Sequence, residues 1–230
     1  MTAEPHRVAQ ATDLLLRTAY TLAEGDQREP SLCPGWTRGH VLTHLARNAD
    51  GLARLARAAV DGTGETMYPS SQAREDDIAA GADRPVAELL ADLESASADL
   101  ATQLVRLRAE HADIRVERTP GGPTFRAGML GFLRLREVVY HHVDLDAGFG
   151  FERLSPDLTE LFLDHEIRLL RATALAPEIE LEADDGGSWP LAGHTAYVSG
   201  SRAALLGWLA RGLTSGVRSD GPLPTLPAGG

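Results

Sequence analysis

The sequence predicts an α+β protein: a four-helix bundle over residues 1–153 followed by a small α/β domain over residues 154–230. Three observations carry the prediction. Four apolar periodicities of helical spacing fill the first part of the chain, and the stretches between them are rich in Gly, Pro, Ser and Thr. Beyond Ser155, short strand-like segments mix with helical ones, which is the pattern of a mixed unit and not of a fifth bundle member.

From Pro5 to Gly25 the residues Val8, Ala11, Leu14, Leu15, Ala19 and Leu22 recur every three or four positions, so the first helix is assigned to this whole span. A loop with Pro30, Pro34 and Gly35 follows, and Thr37 stands as the N-cap of a second helix running to about Val60. Residues 62 to 72 read as a long connection. The third helix spans Val86 to Ala109, with Leu89, Leu90, Leu93, Ala96, Leu100 and Leu104 on its buried face. After a loop around Gly121, Gly122 and Pro123, the fourth helix covers about Ala127 to Ala147. Ser155 and Pro156 form an N-cap and N1 pair for a fifth helix to about Thr173. Ile179–Glu182 and Ala196–Ser199 read as strands, Ser201–Leu213 as a helix, and the tail from Pro222 as a frayed end.

Composition narrows the function. The longest apolar runs, Leu14–Leu16 and Ala203–Leu206, fall far short of the ~18 residues that cross a bilayer, and no basic flank with an apolar run opens the chain. The expectation is therefore a soluble cytoplasmic protein, with no membrane partner and a monomeric state. Cys33 is the sole cysteine, which excludes an internal disulfide and a thiolate-rich zinc site. All 22 basic residues are Arg, scattered among 33 acidic ones for a net charge of −11, so a nucleic-acid partner is not expected.

The chemistry sits on the second and fourth helices. The fourth is apolar almost all round, yet Arg134, Glu137, His141 and Asp144 share one stripe at spacings of three and four. A buried carboxylate and imidazole need partners. With Val41, Leu45, Ala49, Leu52 and Ala56 as the core face of the second helix, His44 lies at the edge of that face and Asn48 near its centre. Two imidazoles and one carboxylate, His44, Glu137 and His141, then make a catalytic-type divalent metal set with an open position. The plainer alternatives are a solvent stripe or an ordinary i,i+4 Glu–His contact. His40, one turn before His44, is the rival ligand, and His142 faces away. Cys33 reads as a small packed residue without neighbours that would activate it.

The segments Pro34-Gly35-Trp36-Thr37-Arg38-Gly39-His40, His44-Leu45-Ala46-Arg47-Asn48-Ala49 and Arg136-Glu137-Val138-Val139-Tyr140-His141-His142-Val143-Asp144-Leu145 resemble the mycothiol-dependent maleylpyruvate isomerase family. Gly64-Glu65-Thr66-Met67-Tyr68, Ala73-Arg74 and Val198-Ser199-Gly200-Ser201 extend the likeness over nearly the whole chain. The resemblance implies a DinB-like metal domain joined to a small α/β domain, zinc or another divalent metal on His44, Glu137 and His141, and mycothiol as cofactor. It also implies a reaction: the metal-bound thiolate adds to the cis double bond of maleylpyruvate, the adduct rotates, and expulsion of the thiol leaves fumarylpyruvate. Partners are thus a small-molecule substrate and a low-molecular-weight thiol.

One departure stands out. The family's helix after the Ser-Gly-Ser turn ends Gly then Arg, with that arginine implicated in catalysis, whereas this chain reads Arg211-Gly212. A one-residue shift turns a side chain by about 100° on a helix. Arg211 is the catalytic candidate and Arg202 its understudy. The shift leaves room for a mycothiol S-transferase that ends on a stable conjugate. A non-enzymatic module binding metal or a protein partner is the reading from a different class. Asp144 and Asn48 are candidates for orienting the metal ligands.

Overall fold

A computed structural model describes residues 5–173, 176–192 and 196–226. The chain divides into two compact units, Met1–Phe149 and Gly150–Gly230. In the first, helices α1 (Pro5–Ala19), α2 (Arg38–Asp61), α4 (Val86–Arg106) and α5 (Leu130–Asp144) form a four-helix bundle, with α3 (Ser71–Gly81) laid on α2. Leu15, Leu42, Leu45, Leu52, Leu55, Leu89, Leu93, Leu100, Phe132 and Leu135 fill its core. A short antiparallel hairpin, β1 (Arg115–Glu117) and β2 (Thr124–Arg126), interrupts the run of helices. No helix among the described residues is long and apolar enough to cross a membrane.

Several boundaries differ from the sequence reading for identifiable reasons. Helix α1 stops at Ala19 although apolar spacing continues to Leu22. Thr18, Tyr20 and Thr21 are poor helix formers, and Tyr20, past the helix end, donates from its hydroxyl to Glu94 Oε1 on α4 at 2.5 Å. Helix α3 occupies part of what reads as a connection: Ser70 caps it by accepting from Ala73 N–H at 3.0 Å, but its polar sequence has almost no apolar periodicity to announce it. Helix α2 begins where Thr37 says it should. Thr37 Oγ1 accepts from His40 N–H at 3.4 Å and His40 Nδ1 accepts from Thr37 N–H at 3.3 Å, a reciprocal box that turns His40 away from ligand duty. Gly39 lets the chain after α3 press against α2, since a Cβ there would lie 2.0 Å from the Ala82 carbonyl oxygen.

The second unit packs α6 (Pro156–Ala172) and α7 (Arg202–Arg211) with a sheet of order β4-β3-β5-β6, the strands being β3 (Ile179–Ala183), β4 (Ser188–Pro190), β5 (Ala196–Gly200) and β6 (Val217–Ser219). The central β3–β5 pair is parallel and both edge pairings are antiparallel. Ile179, Leu181, Ala183 and Val198 point to the buried side. Residues 227–230 of the Pro- and Gly-rich tail lie outside the described residues.

Candidate metal centre

Two local devices bring the start of α2 and the end of α5 together. Arg38, the first residue of α2, donates from Nε to the Leu145 carbonyl and from Nη2 to the Asp146 carbonyl, both at 2.8 Å, so a cation sits at the carbonyls just past the end of α5. Leu32 N–H donates to the Asp144 carbonyl at 2.8 Å, which anchors the loop holding Cys33 and Trp36 to the same helix end. From this junction α2 carries His44 inward, while α5 presents Glu137 and His141 one turn apart.

The three residues meet. His44 Nε2 lies 2.8 Å and His141 Nε2 3.5 Å from Glu137 Oε2, and the three donor atoms fall within 4.8 Å of one another. Side-chain exposure rises from 5% at His44 to 14% at His141 and 23% at Glu137, so the set is walled in behind His44 and reachable beside Glu137. Trp36 covers another side, its ring centroid 5.4 Å from that of His44 and 6.3 Å from that of His141.

Electrostatics distinguish the three. Burial pushes the His44 imidazole down to about 4, so it is neutral at pH 7. Burial alone would raise the Glu137 carboxyl, but hydrogen bonds from His141 and His44 hold it well below the usual carboxylate range. For His141 burial opposes protonation, and the bonds to Asp144, Cys33 and Glu137 outweigh it, raising the imidazole well above its ordinary value. The centre thus offers an ionised carboxylate and one neutral imidazole, with a second imidazole that must shed a proton to ligate.

The donor set fits a divalent ion. Zinc bound at roughly 2.0–2.2 Å to N and O donors in a tetrahedron separates them by about 3.3 Å. The His141–Glu137 distance already matches, and the His44–Glu137 pair opens by about half an ångström from a hydrogen bond. Asp144, fully buried, stands 2.8 Å from His141 Nδ1 and is placed to fix the tautomer that leaves Nε2 free. Asn48 does something else: its Oδ1 accepts from Arg134 Nη1 at 3.0 Å, and the wholly buried Arg134 also donates to the Leu45 carbonyl and Ser97 Oγ. His142 is buried against Phe149 with Nε2 2.7 Å from Thr18 Oγ1, away from the ligand set.

Three neighbours escaped the sequence reading. Cys33 is half-buried with Sγ 3.9 Å from His141 Nδ1, a contact that the sequence does not announce. Cys33, His141 and Asp144 make a second possible donor group, built on the opposite nitrogen of the shared histidine. Tyr68 and Arg74 stand on a further side, the Arg74 guanidinium 6.0 Å from the Tyr68 ring centroid and Nη2 3.1 Å from His44 Nδ1. Tyr68 lies in the connection before α3 and Arg74 on α3 itself, so no single period links them and only folding reveals their convergence. Arg211 belongs to the other unit. It is the last residue of α7, donates from Nη1 to the Ala210 carbonyl at 2.9 Å, and precedes Gly212, whose left-handed φ of 67° ends the helix. Arg202 pairs with Asp185 at 2.7 Å and lies over Trp189.

Comparison with known proteins agrees with this architecture. The family model described as the mycothiol maleylpyruvate isomerase N-terminal domain matches residues 8–146. The crystal structure of the mycothiol-dependent maleylpyruvate isomerase is 26% identical and superposes with a TM-score of 0.87 over 97% of this chain and 94% of that one. A mutant of that isomerase with one histidine replaced by alanine gives the same values. No curated protein matches. The match over most of the helical unit, with the fold likeness across nearly all of the chain, places this protein in the mycothiol maleylpyruvate isomerase family.

Proposed function

We propose that this protein is a mycothiol-dependent cis–trans isomerase that converts maleylpyruvate to fumarylpyruvate, with His44, Glu137 and His141 holding one divalent metal, zinc first among the candidates. The observation that carries the reading is the convergence of these three side chains, from two helices, in a member of this family. A bound divalent ion with a thiol at its open position would supply a thiolate nucleophile at neutral pH, which adds reversibly to a cis double bond and so permits rotation.

The chain's own residues do the rest. Glu137 and the two imidazoles would hold a dication with a single negative charge among them, so the occupied site would keep a net positive charge that favours a thiolate. Asp144 orients His141 through the bond to Nδ1. The Trp36 indole shields the imidazoles from water on one side, which strengthens electrostatic interactions at the centre. Arg211, at the end of α7 in the second unit, is proposed as a catalytic residue, its guanidinium being suited to pair bidentately with a carboxylate.

The test is loss of maleylpyruvate absorbance with purified protein and mycothiol, with product identification and a metal assay on wild type and His44→Ala. Turnover to fumarylpyruvate that requires both thiol and His44 is expected. Bound zinc without turnover, or a stable thiol adduct as product, rejects the isomerase reading.

A further inference from the structure

Arg74 is an unusual neighbour for a cation site. Its side chain is only 15% exposed, and its Nε is buried with no hydrogen-bond partner. Nη1 pairs with the exposed carboxylate of Glu75, the next residue, and Nη2 lies 3.1 Å from His44 Nδ1. An unmet buried donor costs about 1–3 kcal/mol, so an arginine held this way is poised for an acceptor beyond those it has.

The hydrogen-bond polarity at His44 says when such an acceptor is needed. Glu137 Oε2, 2.8 Å from His44 Nε2, is a carboxylate oxygen and accepts, so Nε2 carries the proton. Nδ1 then presents its lone pair, and Arg74 donates to it. A metal on Nε2 demands the other tautomer, with the proton on Nδ1. Two N–H donors would then face each other, and Arg74 Nη2 loses its acceptor.

We propose that Arg74 is the residue that receives a carboxylate of the substrate, and that metal loading at His44 releases it for this role by reversing the polarity of Nδ1. The ligand class is a short dicarboxylate. This deepens the isomerase reading and rests on it for the choice of ligand. It gives the helical unit a substrate cation of its own, separate from Arg211, and makes dicarboxylate binding depend on the metal through the protein as well as through any direct ligation.

The proposal is tested without turnover, by calorimetric titration of maleate, a cis dicarboxylate, into zinc-loaded and metal-free protein. Zinc-loaded Arg74→Gln should bind maleate at least about tenfold more weakly than wild type, the size of one charge-assisted hydrogen bond. Arg74→Lys should recover part of the loss. Zinc affinity supplies the second readout. Glutamine removes a positive charge and its carbonyl can accept from Nδ1–H, so Arg74→Gln should bind zinc several-fold more tightly, whereas an arginine that merely braces the site would leave it weaker when removed. Equal maleate binding by the glutamine variant, or weakened zinc affinity, overturns the proposal. Wild-type turnover separates the two claims: turnover with unchanged maleate binding in Arg74→Gln rejects Arg74 and keeps the isomerase reading, while Arg74-dependent maleate binding without turnover rejects that reading and keeps Arg74.

Discussion

Replacing Asp144 with asparagine should weaken zinc binding by about 10- to 100-fold while leaving the bundle folded. Asp144 is fully buried at the end of α5, and its Oδ2 stands 2.8 Å from His141 Nδ1. The carboxylate fixes the ring's tautomer, aims Nε2 at Glu137 and makes the imidazole a better donor. Asparagine keeps the shape and one carbonyl oxygen, so the ring can stay in place, but the charge is gone and the amide can present its NH₂ to Nδ1 instead. The expected loss corresponds to about 1.4–2.8 kcal/mol of metal affinity. Competition against a chromophoric chelator at pH 7.5, beside a thermal melt of the metal-free protein, measures it. A zinc affinity within twofold of wild type, with the melt unchanged, would refute the argument that Asp144 orients His141.

Other perturbations probe separate parts of the account. Cys33→Ser should retain one zinc per chain and His44→Ala should lose it; the reverse would assign the ion to the Cys33, His141 and Asp144 group. His142, pushed down to about 4 by burial, binds protons less tightly folded than unfolded. Its stabilising contribution is therefore complete above pH 6.5 and lost as pH falls toward 4, up to about 3 kcal/mol; urea unfolding at pH 7 and 4.5 should show a steeper acid loss in wild type than in His142→Gln, and equal losses would contradict it. Gly39→Ala, which sets a methyl group 2.0 Å from the Ala82 carbonyl oxygen, should cost about 1–3 kcal/mol of stability by denaturant titration. An unchanged midpoint would show that the segment after α3 yields freely.

What the sequence disclosed depended on whether a residue's role is local. Thr37, His44 and the Glu137–His141–Asp144 stripe act through helix phase, and a period of 3.6 residues is visible without a structure. The same logic set His44 above His40, whose ring nitrogen is taken up by the Thr37 cap. The misses share the opposite property. Helix α3 is too polar to show an amphipathic rhythm, and the β1–β2 strands are three residues long, too short for an alternation to stand out. Tyr68 and Arg74 reach the centre because Met67 N–H and Tyr68 N–H bond the Glu117 and Arg118 carbonyls, a long-range pairing with no local signal. The contact of Cys33 with His141 was hidden for the same reason, since the two lie 108 positions apart.

Zinc K-edge absorption spectroscopy of the loaded protein, with and without mycothiol, tests the central claim most directly. The account predicts a light-atom shell from two imidazoles and one carboxylate at roughly 2.0–2.2 Å, with one sulfur at about 2.3 Å appearing when the thiol is added and both imidazole signals kept. A sulfur shell already present without mycothiol, or none after its addition, would contradict it.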